Sequence, residues 1–192
     1  MIRLLPLGLL CLLCAFTPVT VTTWSVKSYS VKCKIRNAGI PVTATFTDLQ
    51  ANLRFDPSRP TESTLTASLG ANTIKTGVSL RDYQLRSRNY LYADKYPRLL
   101  MQSKQIRAVG KNSYVGQFDL TLRGVTKVVE VPFSFVQQGN LVTCKGKFSI
   151  NRRDFGVGGS SLILDDKVDI VVEVTGSDSS KEPGPPTALP KT

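Results

Sequence analysis

From Thr23 onward the chain alternates apolar and polar residues with a period of two, the mark of strands with one buried face. Val31, Cys33 and Ile35 alternate with Lys32, Lys34 and Arg36, and Val42, Ala44 and Phe46 alternate with threonines. The phase then slips, because Leu49, Ala51, Leu53 and Phe55 carry the apolar set on odd numbers. A one-residue slip inside a strand pattern predicts a bulge or corner near Thr47–Asp48. Leu65, Ala67 and Leu69 begin the next run, and Leu99, Met101 and Ser103 begin another after an interruption. Three further runs follow: Tyr114 to Leu122, Lys127 to Phe135, and Val142 to Ile150. Gly139-Asn140 marks a hairpin between the last two, and Val168 to Val174 forms the final strand.

About eight strands joined mostly by short turns predict an antiparallel all-β domain. Strands with one apolar face bury it together, and lose their exposed edges, by closing into a barrel. A two-sheet sandwich competes, but the bulged corner and a single helix able to cap an open end favour the barrel. That helix is the interruption between Ile74 and Pro97, predicted over about residues 78–95 with Leu80 and Leu85 on one face. The inward set mixes rings (Phe46, Phe55, Phe118, Phe133, Phe135, Phe148) with small residues (Ala44, Ala51, Ala67, Gly116, Gly146). Such a set fits a lumen with room for a ligand, and it equally fits large side chains packed solidly against small ones.

The two ends of the chain read differently. Arg3 followed by the apolar run Leu4–Phe16 predicts a secretory signal over residues 1–22, cleaved between Ala15 and Thr23. The run is too short to span a bilayer comfortably. Leucines, not small residues, precede Cys11 and Cys14, which argues against a lipid-anchored terminus. The domain itself is predicted over residues 23–176. Residues 177–192, rich in Pro and Ser, are expected to be a disordered tail.

Composition mainly narrows the chemistry. Twenty-five Lys+Arg against fourteen Asp+Glu give a net charge of +11, suited to anionic partners. The cations are spread singly along strands with no aromatic-interleaved stripe, so no nucleic-acid partner is expected. Most of the charge reads as a solvated exterior, and the rest suits contact with an anionic membrane surface. The chain has no histidine, which excludes Ser-His-Asp and Cys-His catalysis and histidine metal sites. No metal and no cofactor are expected. Gly156, Gly158 and Gly159 lack the Lys-Ser/Thr of a phosphate loop, and Asp165-Asp166 reads as a turn. Beyond the signal only Cys33 and Cys144 remain, either as a disulfide or as buried free thiols.

Four blocks together resemble the YceI-like family of bacterial periplasmic polyisoprenoid-binding proteins. They are Ala44-Thr45-Phe46 through Leu53-Arg54-Phe55-Asp56-Pro57; Ile74-Lys75-Thr76-Gly77 with Arg81-Asp82-Tyr83-Gln84-Leu85-Arg86-Ser87 and Lys95-Tyr96-Pro97; Leu120 to Lys127; and Phe148 to Gly158. Their order and spacing hold from about Trp24 to Thr175. The resemblance implies an extended lipocalin-like barrel whose lumen holds an isoprenoid lipid, of the polyprenyl phosphate or quinone type, in the periplasm. It also makes a homodimer plausible. Asn37 and Gln84 stand where many relatives carry histidine, which puts any head-group contact of those histidines in doubt here.

On this reading the lumen is expected to be lined by Phe46, Leu53, Phe55, Leu65, Ala67, Leu69, Leu80, Leu85, Met101, Phe118, Leu120, Phe133, Phe135 and Phe148. Arg81, Asp82, Tyr83, Arg153 and Asp154 are expected at a polar mouth, with Arg81 facing a phosphate or quinone oxygen. Asp82 has a plainer alternative, capping backbone N–H groups near the helix start. The expected function is non-catalytic binding of the lipid. A filled barrel acting as an envelope interaction protein and a lipid-modifying enzyme are the alternatives.

Overall fold

The computed structural model describes residues 21–181, so nearly all of the signal segment and the tail beyond Lys181 lie outside the described residues. Nine antiparallel strands follow one another: β1 (Thr23–Asn37), β2 (Ile40–Thr45), β3 (Leu49–Arg54), β4 (Thr64–Gly70), β5 (Arg98–Gly110), β6 (Ser113–Leu122), β7 (Val125–Gln138), β8 (Leu141–Asn151) and β9 (Lys167–Asp178). From β3 to β9 each strand pairs with the next, and β9 closes the sheet on β1. The long β1 pairs with β2 over Lys32–Asn37 and with β3 over Thr23–Trp24. Thus β2 and β3 are two arms of one bent stave, and the nine strands make a closed barrel of eight staves.

The bend falls at residues 46–48, where the apolar phase slips. Asp48 anchors it: its carbonyl accepts the Gly70 N–H at 3.0 Å and its carboxylate pairs with Arg98. Gly70 permits this approach, since a Cβ there would lie 2.7 Å from an Asp48 carboxylate oxygen. Arg98 in turn donates to the Ser68 carbonyl at 2.9 Å, tying the corner to β4.

The chain direction of the staves defines two ends. One carries the start of β1, residues 55–63, and the β5–β6 and β7–β8 turns. The other carries the β1–β2 turn, the insert between β4 and β5, the β6–β7 turn and residues 152–166. The insert holds a single α-helix, α1 (Ser79–Arg86), shorter than the predicted span. Its last turn is closed by Ser87 donating to Gln84, and residues 87–96 continue as turns bonded back to Leu85 and Arg86. Thr45 and Lys75 exchange both backbone hydrogen bonds, at 2.8 and 2.9 Å, which clamps the insert to the end of β2.

Two expectations need correction, and the alternative left open for the cysteines resolves. Leu80 and Leu85 do not share a face, because five residues at 3.6 per turn place them well apart around the helix. Leu80 points outward, 79% exposed. The barrel also extends past residue 176: Ser177 and Asp178 are buried in β9, with Asp178 paired to Trp24. Finally, Cys33 and Cys144 are free thiols. They lie on the two strands that flank β9, opposite Ile170 and Val174 respectively. Two strand spacings set them about 10 Å apart sideways and four residues about 13 Å along the sheet, beyond the ~7 Å that a disulfide can bridge. Burial pushes both thiols up to about 12.

Candidate functional site

The barrel is solid in one half and hollow in the other. In the solid half Phe55 and Phe135 are completely buried, their ring centres 4.2 Å apart. Tyr114 stands edge-on to Phe55 and stacks on Phe133, at 4.9 and 5.5 Å. Trp24 closes the cluster, meeting Phe135 edge-on and donating its indole N–H to the Phe55 carbonyl at 3.0 Å. Offset and edge-on rings of this kind gain energy beyond their buried area. Phe118, Leu53 and Leu65 complete the plug. Small inward residues serve packing here, since a Cβ on Gly116 would strike the Phe118 ring.

Towards the other end the side chains no longer meet across the axis. They leave a cavity of about 470 Å³, within the size range of small-molecule sites. Among the expected lumen residues, Phe46, Ala67, Leu69, Leu85, Met101, Leu120 and Phe148 line it. Leu53, Phe55, Leu65, Phe118, Phe133 and Phe135 do not, because they belong to the plug, and Leu80 faces away. Lining residues absent from the expected set include Val31, Ile35, Val42, Ile74, Leu99, Leu122, Ile150, Ile170 and Val172. All but Ile74, which comes from the insert, sit on the correct inward phase. What alternation lacks is position along the axis, and adding chain direction stave by stave would have sorted hollow from solid.

The polar groups gather at the mouth, where Asn37, Thr76, Arg81, Gln84, Tyr90, Arg152 and Ser161 join the lining. Arg81 and Gln84 come from α1, and Asn37 from the end of β1. Arg81 is steered by Thr76, to which its Nε and Nη2 donate at 2.9 and 3.2 Å. Two of its five N–H groups are thereby used, which leaves donors for a ligand.

Arg152 behaves differently. It is 3% exposed and all five of its N–H groups are engaged. They reach the carbonyls of Val157, Gly159, Leu164 and Asp165 and the Asp166 carboxylate, at 2.7–3.1 Å. Gly158 leaves room for it, as a Cβ there would lie 3.0 Å from its Nη1. The guanidinium is therefore the hub that folds residues 152–166 over the mouth.

Expectation had placed Arg153 and Asp154 at the mouth, yet both are exposed. Arg153 makes only an outer pair with Asp166, at 3.3 Å. The signal for the correct residue was present, since the even phase of Phe148 and Ile150 continues to Arg152. Tyr83 is likewise 71% exposed and off the cavity wall.

Asp82 is buried and turned away from the cavity, with its carboxylate accepting the Thr76 N–H at 2.7 Å and the Thr76 hydroxyl. It does not cap α1, which has no side-chain cap at Val78, but ties the helix back to the segment that enters it. The Thr76 hydroxyl bond, opposed by desolvation, is the main reason its carboxyl sits below the usual range. A depressed folded-state value means stabilisation that is present above about pH 4 and is lost as pH falls through the lowered value. Asp82→Asn should therefore melt lower than wild type at pH 7, and the gap should narrow when both are melted near pH 3.

A family model described as the YceI-like domain matches residues 23–176. The chain belongs to the YceI-like family. It is 32% identical over 139 residues to a UPF0312 protein of Pseudomonas fluorescens, covering 66% of this chain and 70% of that one. The crystal structure of Burkholderia cenocepacia BcnA has the same fold, with a TM-score of 0.76 at 24% identity, over 79% of this chain and 99% of that one. A polyisoprenoid binding domain from Saccharophagus degradans, implicated in plant cell wall breakdown, superposes with a TM-score of 0.62 at 12% identity, over 83% of this chain and 99% of that one. The YceI-like barrel of this chain thus has a hollow, apolar half capped by a cationic helix.

Proposed function

We propose that this protein binds an isoprenoid lipid, its chain in the hollow half of the barrel and its head group at Arg81, outside the cytoplasm in the periplasm. The observation that carries the reading is the 470 Å³ cavity, walled by aliphatic side chains and phenylalanines and polar only at the mouth. A filled barrel would not leave that space. Each CH₂ moved from water into such a wall gains about 0.8 kcal/mol before ordering costs. Branched prenyl methyls suit a wall built mainly from branched aliphatics. The YceI-like membership and the polyisoprenoid-binding Saccharophagus neighbour point the same way.

Binding without catalysis fits the lining best. Among the described residues no carboxylate is in the cavity wall; Asp82 of α1 is committed to Thr76 and Asp166 to Arg152. The predicted leader at residues 1–22 supports a periplasmic location.

The head group is tested by titrating the protein with a short-chain polyprenyl phosphate and with a ubiquinone of similar length. A charged hydrogen bond contributes about 1.5–3 kcal/mol. Arg81→Gln should weaken the phosphate about tenfold or more and the quinone far less. Equal loss for both would contradict an anionic head at Arg81, and failure of wild type to take up either would contradict the reading as a whole.

A further inference from the structure

The outer surface around the mouth has a property that holding a lipid does not require. Large apolar side chains stand out into solvent there: Ile40 on the β1–β2 hairpin, Val78, Leu80 and Tyr83 on the insert, and Leu162 and Ile163 on the loop after β8. Leu162 is fully exposed, and the others range from 48% to 79%. They occupy one rim. The Ala38 N–H donates to the Ile163 carbonyl at 2.6 Å, and Asn37 bridges to Leu164, which joins hairpin and loop. Arg81 and Gln84 of α1 line the same cavity as Asn37 and Ile163, which sets the helix across the mouth from them.

The charge around this rim is net positive. Residues 74–98 carry six Lys or Arg against two Asp, and Arg36 and Arg123 add to that end. Of the carboxylates there, Asp48 is paired with Arg98, Asp82 is bonded to Thr76, and Asp166 is held by Arg152 and Arg153, while Asp94, Asp154 and Asp165 are exposed and outnumbered by the cations. At the opposite end residues 55–63 hold one Arg against two acidic residues, and the β5–β6 hairpin adds Arg107 and Lys111, so the excess of cations there is smaller. Protruding aliphatics set among cations match a bilayer with an anionic surface, because the apolar tips enter the acyl boundary while the cations stay at the phosphates. An exposed aliphatic cluster meeting a protein partner would instead be expected to lie in a flatter, less charged patch.

We infer that the mouth rim is a docking surface for an anionic phospholipid bilayer, seating the barrel mouth-down on the membrane. The inference rests on the lipid-binding reading for its purpose but not for its evidence. Docked this way, the open end of the cavity faces the hydrocarbon, so a prenyl chain can pass between bilayer and lumen without crossing water.

The test is sedimentation of the full chain, purified from the soluble fraction, with vesicles of phosphatidylcholine containing about one third phosphatidylglycerol and with pure phosphatidylcholine vesicles. Wild type should bind the anionic vesicles, weaken as salt rises, and bind the neutral ones poorly. Leu80→Glu/Leu162→Glu should lose about tenfold or more in partitioning. Val109→Glu/Leu141→Glu, at the plugged end, should bind like wild type. All three proteins share the same N-terminus, so any contribution it makes cancels. As a second readout, Leu162→Trp should shift its emission to the blue on anionic vesicles while Leu141→Trp does not.

Wild type that ignores anionic vesicles, or equal binding by the two double variants, would overturn the docking surface. Failure of the lipid-binding reading shows elsewhere. The Leu80→Glu/Leu162→Glu variant, at two rim residues off the cavity wall, should keep its cavity lipid, whereas a variant with a filled cavity should lose its lipid and still sediment with vesicles.

Discussion

Ala44→Phe/Ala67→Phe is expected to leave the barrel folded and empty it of lipid. Both alanines line the hollow half, Ala44 from β2 and Ala67 from β4. In a tightly packed core an added ring forces side chains off their rotamers and costs stability. Here each ring enters existing space and finds aliphatic neighbours, so the melting temperature should hold or rise. Lipid affinity should fall by more than about tenfold, since two rings displace several buried CH₂ groups at about 0.8 kcal/mol each. The same substitution in the plugged half should do the reverse. Gly116→Ala would bring a Cβ onto the Phe118 ring, destabilising the fold with little effect on the lipid. Lipid content by extraction and thermal melts together check both.

The largest stability effect is expected at Arg152. Replacing it with methionine keeps much of the side-chain volume but leaves four carbonyls without their donor and the Asp166 carboxylate with only the exposed Arg153. Removing one partner of a buried ionic network costs about 3–5 kcal/mol. In a chain of this size that lowers the melting temperature by about 10 °C, at about 2–4 °C per kcal/mol. Lysine should not rescue it, since a single ammonium cannot reproduce the five-donor fork. Arg153→Met, one residue along, removes only an exposed pair and should stay within about 0.5 kcal/mol of wild type. Denaturant melts of the three variants separate these outcomes, and similar losses at both positions would refute the hub.

Most of the barrel could be read before any coordinates. The inward phase of every stave follows from alternation, and the slip at residues 47–48 located the corner that splits one stave into β2 and β3. The site was less legible. Phe46 and Phe55 have the same inward phase and chemistry, yet one lines the cavity and the other lies inside the aromatic plug. The difference is their height along the barrel axis, set by pairing register, which a period-two pattern does not carry. Arg153-Asp154 repeats the Arg-Asp pair of the insert and so draws attention in the sequence, but the even phase of β8, extended one step past Ile150, points inward at Arg152. The helix was misjudged for a related reason: Leu80 and Leu85 look like a pair in sequence, but helical geometry puts Leu85 on the cavity and Leu80 on the rim.

The central claim is tested most directly by native mass spectrometry of the purified protein, followed by solvent extraction and identification of what is released. The account predicts about one prenyl lipid per barrel in wild type and none in Ala44→Phe/Ala67→Phe. A wild-type mass equal to the bare chain, in protein that also takes up neither a polyprenyl phosphate nor a quinone when offered them, would contradict it.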